Sequence, residues 1–306
     1  MRIVFMATGE IAEGSFAAAL ESEHEIIGLV TQPDRKVGRK QILTSPQVKT
    51  MALEAGIPVI QPEKVREYDA LAQIREWKPE LIVVMAYGQI LPQSLIEIPE
   101  KAIINLHASL LPKYRGASCV QGPIREGDAK TGWSVIHVVK KLDAGNVILQ
   151  QELKIAEGET GSELHDRLAK AAPLALLNAL ALFEKGEVKG IPQVEEESTY
   201  VPKLLRDDGK IDWSQSAGEI ERLIRAYHPW PGTFTEFSGK RLKLFPPVTL
   251  SETNGAPGAV ISGDELEVNC GEGALIFSVV QPEGKPRMDS RDFARGYREQ
   301  ITPGFS

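Results

Sequence analysis

Cysteine is scarce: only Cys119 and Cys270 occur in 306 residues, far apart and in no ligand-like spacing. That excludes a disulfide framework and a thiolate zinc site, and it fits a reducing compartment. No apolar run approaches the roughly 18 residues a membrane span needs. After Met1-Arg2 only Ile3-Val4-Phe5-Met6 are apolar, too short a stretch for a secretory signal. Internal repeats and low-complexity segments are lacking. So is positive charge: the net charge of -7 excludes indiscriminate binding of nucleic acid. No His, Cys, Asp or Glu set has metal-ligand spacing, and no metal is expected. With 42% hydrophobic and 25% charged residues, the composition is that of a globular, cytoplasmic protein of about two domains.

The first half alternates short apolar runs with helix-length amphipathic stretches. Ile3–Met6, Glu25–Val30, Val59-Ile60, Leu81–Met85, Ala102–Leu106 and Trp133–Val139 read as strands. Gly14–Ser22, Val48–Ala55 and Tyr68–Trp77 read as helices. Fully apolar strands alternating with helices indicate a mostly parallel, Rossmann-like sheet covered on both faces. Gly161–Phe183 reads as a long helix, kinked at Pro173. Gly190–Lys203, with two prolines and three successive glutamates, reads as an extended linker. Ala217–Ala226 reads as a helix capped by Ser214 or Ser216. From Thr233 to about Val280 short β-type runs alternate with Gly-containing turns, as in a small β-barrel. The expected organisation is α/β over 1–188, a linker over 189–207 and an OB-like β-barrel over 208–306.

The loop after the first strand, Ala7-Thr8-Gly9-Glu10-Ile11-Ala12-Glu13-Gly14, matches neither a dinucleotide fingerprint nor a phosphate loop. More informative is Asn105-Leu106-His107-Ala108-Ser109-Leu110-Leu111-Pro112, at the carboxyl end of a strand, where open α/β sheets place their sites. Asn105 and His107 are two residues apart and point to one face if the chain stays extended. An amide and an imidazole there can polarise one carbonyl and stabilise charge on its oxygen. Asp143 follows the next strand and can orient the imidazole and favour its charged form, or simply cap the turn before Gly145. Arg35, Lys36, Arg39, Lys40 and Lys49 lie between Thr31 and Lys49 against one acid, Asp34. Such a stretch is either a solvated loop or a site for a specific anionic partner.

Together Asn105-x-His107-x-Ser109-Leu110-Leu111-Pro112, Arg115-Gly116 and Leu142-Asp143-x-Gly145 resemble the formyltransferases that use 10-formyltetrahydrofolate. Thr31-Gln32-Pro33-Asp34-Arg35, Val84–Pro92, Ile211–Ser214 and Ala226–Gly232 resemble the members that formylate methionyl initiator tRNA. The resemblance runs from about residue 2 to the C-terminal residues. It implies Asn105, His107 and Asp143 as catalytic residues. It implies 10-formyltetrahydrofolate as co-substrate, lying along Met85, Ala86, Tyr87, Gly88, Leu91, Ile104, Ser109, Leu110, Leu111 and Pro112. The main chain of Ala86–Gly88 would read the pterin edge. Arg35, Lys36, Arg39 and Lys40 would meet initiator methionyl-tRNA, with Lys240, Arg241 and Lys243 as a second contact. A monomer is expected.

Two segments depart from the family pattern. Its first loop usually reads Gly-Thr-Pro-x-Phe-Ala, and Ala-Ala-Pro often follows Arg-Gly, where this chain has Ala117-Ser118-Cys119. Cys119 reads as a small buried hydrophobe, since the transfer needs no acyl-enzyme. The rival readings are a nucleotide-sugar amine N-formyltransferase, a formyl-folate hydrolase and an idle RNA-binding protein on the same scaffold.

Overall fold

The computed structural model describes residues 1–38, 40–261, 265–301 and 304–305. The chain forms two compact units. Met1–Cys119, Thr131–Lys154 and His165–Val201 make the first; Val120–Lys130, Ile155–Leu164 and Pro202–Ser306 make the second. Residues 120–130 and 155–164 of the N-terminal half thus lie in the second unit. Most of the stretch read as linker lies in the first.

In the first unit the chain runs β1 (Arg2–Ala7), α1 (Glu13–Leu20), β2 (Glu25–Val30), β3 (Arg35–Val37), β4 (Ile42–Thr44), α2 (Gln47–Glu54) and β5 (Val59–Ile60). It continues through α3 (Tyr68–Trp77), β6 (Leu81–Met85), α4 (Gln93–Ile96) and β7 (Ala102–His107). After α5 (Gln121–Glu126), which lies in the second unit, β8 (Lys130–His137), β9 (Val147–Lys154) and most of α6 (Gly161–Lys185) complete it. The seven-stranded sheet has the order β5-β2-β1-β6-β7-β8-β9. The pairs from β5 to β7 are parallel, and β8 runs antiparallel to β7. Ile3, Val4, Phe5 and Met6 of β1 and Leu81, Ile82 and Val83 of β6 are all fully buried. Burial on both faces explains why these strands are continuous rather than alternating apolar runs.

The antiparallel β8 carries Trp133, whose indole Nε1 donates to the Leu168 carbonyl at 2.9 Å. Leu168, Ala172, Ala175, Leu176, Ala179 and Leu180 of α6 recur at helical spacing and are all buried. The helix is continuous through Pro173. The strand order reverses direction about β1, with β2 and β5 on one side and β6 and β7 on the other. That is the switch point where doubly wound sheets bind ligands.

Among its described residues the second unit has α7 (Ala217–Ala226), eight strands and the helix α8 (Ser290–Gly296). The strands are β10 (Thr233–Phe237), β11 (Lys240–Leu244), β12 (Val248–Ser251), β13 (Val260–Ile261), β14 (Leu266–Asn269), β15 (Ala274–Phe277), β16 (Val279–Pro282) and β17 (Met288–Asp289). The expected β-rich C-terminal part takes the form of two four-stranded antiparallel sheets, β10-β11-β16-β17 and β12-β15-β14-β13. Trp213, Ile220, Ile224, Phe237, Leu242, Val268, Phe277 and Phe293 belong to its single core. Of the two serines weighed as cap, Ser216 caps α7: its hydroxyl accepts from Glu219 N at 3.3 Å, and the Glu219 carboxylate accepts from Ser216 N at 2.9 Å.

Candidate active site

The register pairs Val84 of β6 with Asn105 of β7. The two strands therefore end side by side, one leading into Met85–Gly88 and the other into His107–Pro112. The loop after β1 joins them at this edge: Gly9 N donates to the Ala86 carbonyl at 3.4 Å, and the Thr8 hydroxyl to the Tyr87 carbonyl at 3.3 Å.

Asn105, His107 and Asp143 converge on one carboxylate. Asn105 Nδ2 lies 3.4 Å from Asp143 Oδ1, a loose hydrogen bond. His107 Nδ1 lies 3.7 Å from Oδ2, close enough for ion pairing but longer than a hydrogen bond. Asp143 Oδ2 accepts from the Gly116 main chain at 2.8 Å. His107 is buried, and its Nε2 is 2.9 Å from the Tyr114 carbonyl. A carbonyl can only accept, so Nε2 carries a proton. Burial alone would push the ring towards its neutral form. The neighbouring Cys119 sulfur, the Asp143 carboxylate and the Tyr114 carbonyl outweigh it, and the pKa of His107 is pushed up to about 9. The histidine is thus an imidazolium at neutral pH.

Of the residues that hold this trio, the sequence motifs included Arg115, Gly116 and Gly145 but not Tyr114 or residues 191–201. Asp143 stands at φ +49°, a left-handed conformation that costs an ordinary residue roughly 1–2 kcal/mol. Gly145, two residues on, cannot be replaced: a Cβ there would lie 1.6 Å from the His137 carbonyl oxygen. Gly116, at φ +104°, passes so close to the Val201 carbonyl that a Cβ would lie 2.5 Å from its oxygen. Residues 191–201 lie along the same edge: Val147 bridges to Ile191 and Arg115 to Tyr200. Cys119, read as a buried hydrophobe, is half-buried and touches the His107 ring. The Arg115-Gly116 motif was a signal for part of this arrangement; nothing in the sequence tied residues 191–201 to it.

The expected folate residues fall into two groups. Ala86 and Gly88 are exposed, at φ +48° and +85°, and Leu110 and Pro112 are half-buried. Met85 and Ile104 are fully buried, so Ile104 offers no free apolar wall, contrary to expectation. Leu91 packs against the core cluster around Val65, Ile74 and Leu95, which contains the Tyr87 ring. The carbonyl of Tyr87 already accepts from Thr8 and from Gln32 Nε2, at 3.1 Å. The left-handed turn at Ala86 breaks the strand alternation and sends the Tyr87 ring inward. Ser109 is also buried, its hydroxyl donating to the Lys113 carbonyl at 2.7 Å. Leu111 is buried with its N–H on Ser134 Oγ at 3.0 Å.

Arg35 and Lys36 lie on the two-stranded hairpin of β3 and β4, and Lys40 in its turn; all three are exposed. Arg39 lies outside the described residues. The hairpin also exposes Val37, Ile42 and Leu43. Its base is pinned by Asp34, which accepts from Gln61 Nε2 at 2.7 Å and Lys49 Nζ at 2.8 Å. Those two partners hold the Asp34 carboxyl down at about 2. In the second unit, Lys240 and Lys243 are exposed on β11, and the Arg241 guanidinium lies over the Phe234 ring at 4.2 Å.

Residues 1–180 match the family described as formyl transferase, and residues 203–298 match its C-terminal domain. A methionyl-tRNA formyltransferase from Akkermansia muciniphila is 50% identical over 305 residues, 97% of each chain. One from Pseudomonas fluorescens is 43% identical over 307 residues, 100% of this chain and 96% of the other. The structure of HypX from Aquifex aeolicus in complex with tetrahydrofolic acid shares the fold at a TM-score of 0.64 and 20% identity. It covers 98% of this chain and 47% of that one. With both domain models matched in order and near-complete overlap with such relatives, this chain belongs to the methionyl-tRNA formyltransferase family.

Proposed function

We propose that this protein transfers the formyl group of 10-formyltetrahydrofolate to the α-amino group of methionine esterified to initiator tRNA. The observation that carries the reading is the 50% identity, over 97% of both chains, to a methionyl-tRNA formyltransferase. In the reaction the neutral amine attacks the formyl carbon and its carbonyl becomes a tetrahedral oxyanion. The bond from that carbon to N10 then breaks as N10 takes up a proton.

Asn105 donates Nδ2–H to the developing oxyanion; its 3.4 Å bond to Asp143 is loose enough to be exchanged for a charged acceptor. His107 acts through its charge, because its Nε2 proton is committed to Tyr114. As an imidazolium it is not a base at neutral pH. The proton of the attacking amine therefore passes to Asp143 Oδ1, directly or through a water, and on to N10. Oδ2 holds the Gly116 N–H and is the less available oxygen.

The folate lies against the exposed Ala86 and Gly88 and the half-buried Leu110 and Pro112, on the switch-point edge. Arg35, Lys36, Arg39 and Lys40 meet tRNA phosphates, with the exposed Val37, Ile42 and Leu43 between them, and Lys240 and Lys243 give a second contact. Incubation with 10-formyltetrahydrofolate and methionyl initiator tRNA yields N-formylmethionine on the tRNA and one tetrahydrofolate per transfer. Binding of both substrates without that product would contradict the proposal.

A further inference from the structure

Gln193 occupies a singular place among the groups around Asp143. Its Nε2 donates to the Asp143 carbonyl and to the Gly145 carbonyl, each at 2.8 Å. Its Oε1 accepts from Arg115 Nε at 3.1 Å and Nη2 at 2.9 Å. One amide thus clamps the left-handed turn at Asp143 on one side and grips a fully buried guanidinium on the other. The remaining Arg115 nitrogen, Nη1, is held by Glu195 at 3.0 Å and the Tyr200 hydroxyl at 3.2 Å. The Arg115 main chain is fixed between Thr199 O and Val201 N, both at 2.8 Å.

The residues on either side of Arg115 both touch the charged pair. The Tyr114 carbonyl accepts from His107 Nε2, and Gly116 N donates to Asp143 Oδ2. From Gln193 one path therefore runs straight to the main chain of Asp143. The other runs through Arg115 to the main-chain groups that fix the Asp143 carboxylate and the His107 ring. The hydrogen bond from Asn105 to Asp143 Oδ1, at 3.4 Å, is loose.

We propose that Gln193 is a positioning residue for catalysis, which sets the distance between Asp143 and His107 by tying the Asp143 turn to the Tyr114–Gly116 segment. The proposal rests on the reaction assigned above only for the catalytic roles of Asp143 and His107. Gln193 touches neither reacting group. Its effect is on placement, and a displacement of about 1 Å at a reacting centre costs roughly a hundredfold in rate.

Two substitutions test it in the full-length chain. Gln193→Glu keeps an acceptor for Arg115 and loses the donor to the two carbonyls, whereas Gln193→Leu loses both without adding charge. Gln193→Glu lowers kcat by about tenfold or more and leaves KM for folate and for methionyl-tRNA within about threefold, the split expected for misplaced catalytic groups. In folded Gln193→Leu, Asp143 moves off the imidazole. The His107 titration followed by NMR then moves down from about 9, because the Asp143 part of what favours the charged ring weakens while the Cys119 part stays.

That titration is read on the protein alone and tests positioning independently of the assigned reaction. Failure of the wild-type protein to transfer formyl would contradict the reaction and not the clamp. Unchanged kcat in Gln193→Glu, or an unchanged His107 titration in folded Gln193→Leu, would overturn the positioning role. So would a loss of kcat matched in full by loss of folded protein. Should Gln193→Leu not fold, the kcat-against-KM split in Gln193→Glu decides.

Discussion

Asn105 is held to Asp143 by one loose hydrogen bond, and its removal leaves His107 and Asp143 with their own partners. Loss of one oxyanion donor typically raises the barrier by about 2.7–4 kcal/mol. Asn105→Ala is accordingly expected to lower turnover by a hundredfold or more at unchanged folate affinity, checked by kcat and by direct folate binding. Near-normal turnover would remove Asn105 from the mechanism. His107 makes a pH prediction of definite sign. Its pKa in the folded protein lies above the ordinary 6.5. The charged ring therefore contributes stability that is fully present below about 6.5 and lost as pH rises through about 9. Turnover that needs the imidazolium fades over the same upper window, as a pH–kcat profile would record. Asp143→Asn should lower the His107 titration itself, read by NMR on the protein alone, because the carboxylate that helps favour the charged ring is gone.

At the scale of elements, the basic hairpin of β3 and β4 stands apart from the sheet's ligand edge in composition, with exposed cations and exposed large apolar side chains together. Lys36→Glu with Lys40→Glu is expected to raise KM for methionyl-tRNA by about tenfold and leave KM for folate unchanged, measured in steady state. Equal effects on both would contradict the division between hairpin and strand ends. The apolar strands, the helices and the pairing of Asn105 with His107 were legible because each is a local pattern: a buried run, a 3.6-residue period, a polar pair at a strand end. Asp143, 38 positions from Asn105, was tied to them only by the family resemblance. The clamp was not legible, because Gln193 and Asp143 are 50 positions apart and Gln193 lies in Gly190–Lys203, whose prolines and glutamates read as linker. Tyr87 follows β6, and its ring direction depends on the positive φ of Ala86, which no residue pattern announced. The assignment of 120–130 and 155–164 to the second unit was equally invisible, since α5 packs against α7 across about a hundred residues.

For the whole molecule, a net charge of -7 offers tRNA no overall attraction and leaves the proposed contacts to local patches. Binding should weaken with salt at a log–log slope of only about -2 to -4, that of a few phosphates. Among the described residues no helix is long and apolar enough to cross a membrane. The central claim is the pairing of one formyl donor with one acceptor, and it is tested most directly by offering acceptors side by side. With 10-formyltetrahydrofolate as donor, transfer rates are compared for methionyl initiator tRNA, uncharged tRNA, a nucleotide-linked amino sugar and water. The account predicts transfer confined to the methionyl-tRNA. Transfer to the amino sugar at a comparable rate, or hydrolysis alone, would contradict it.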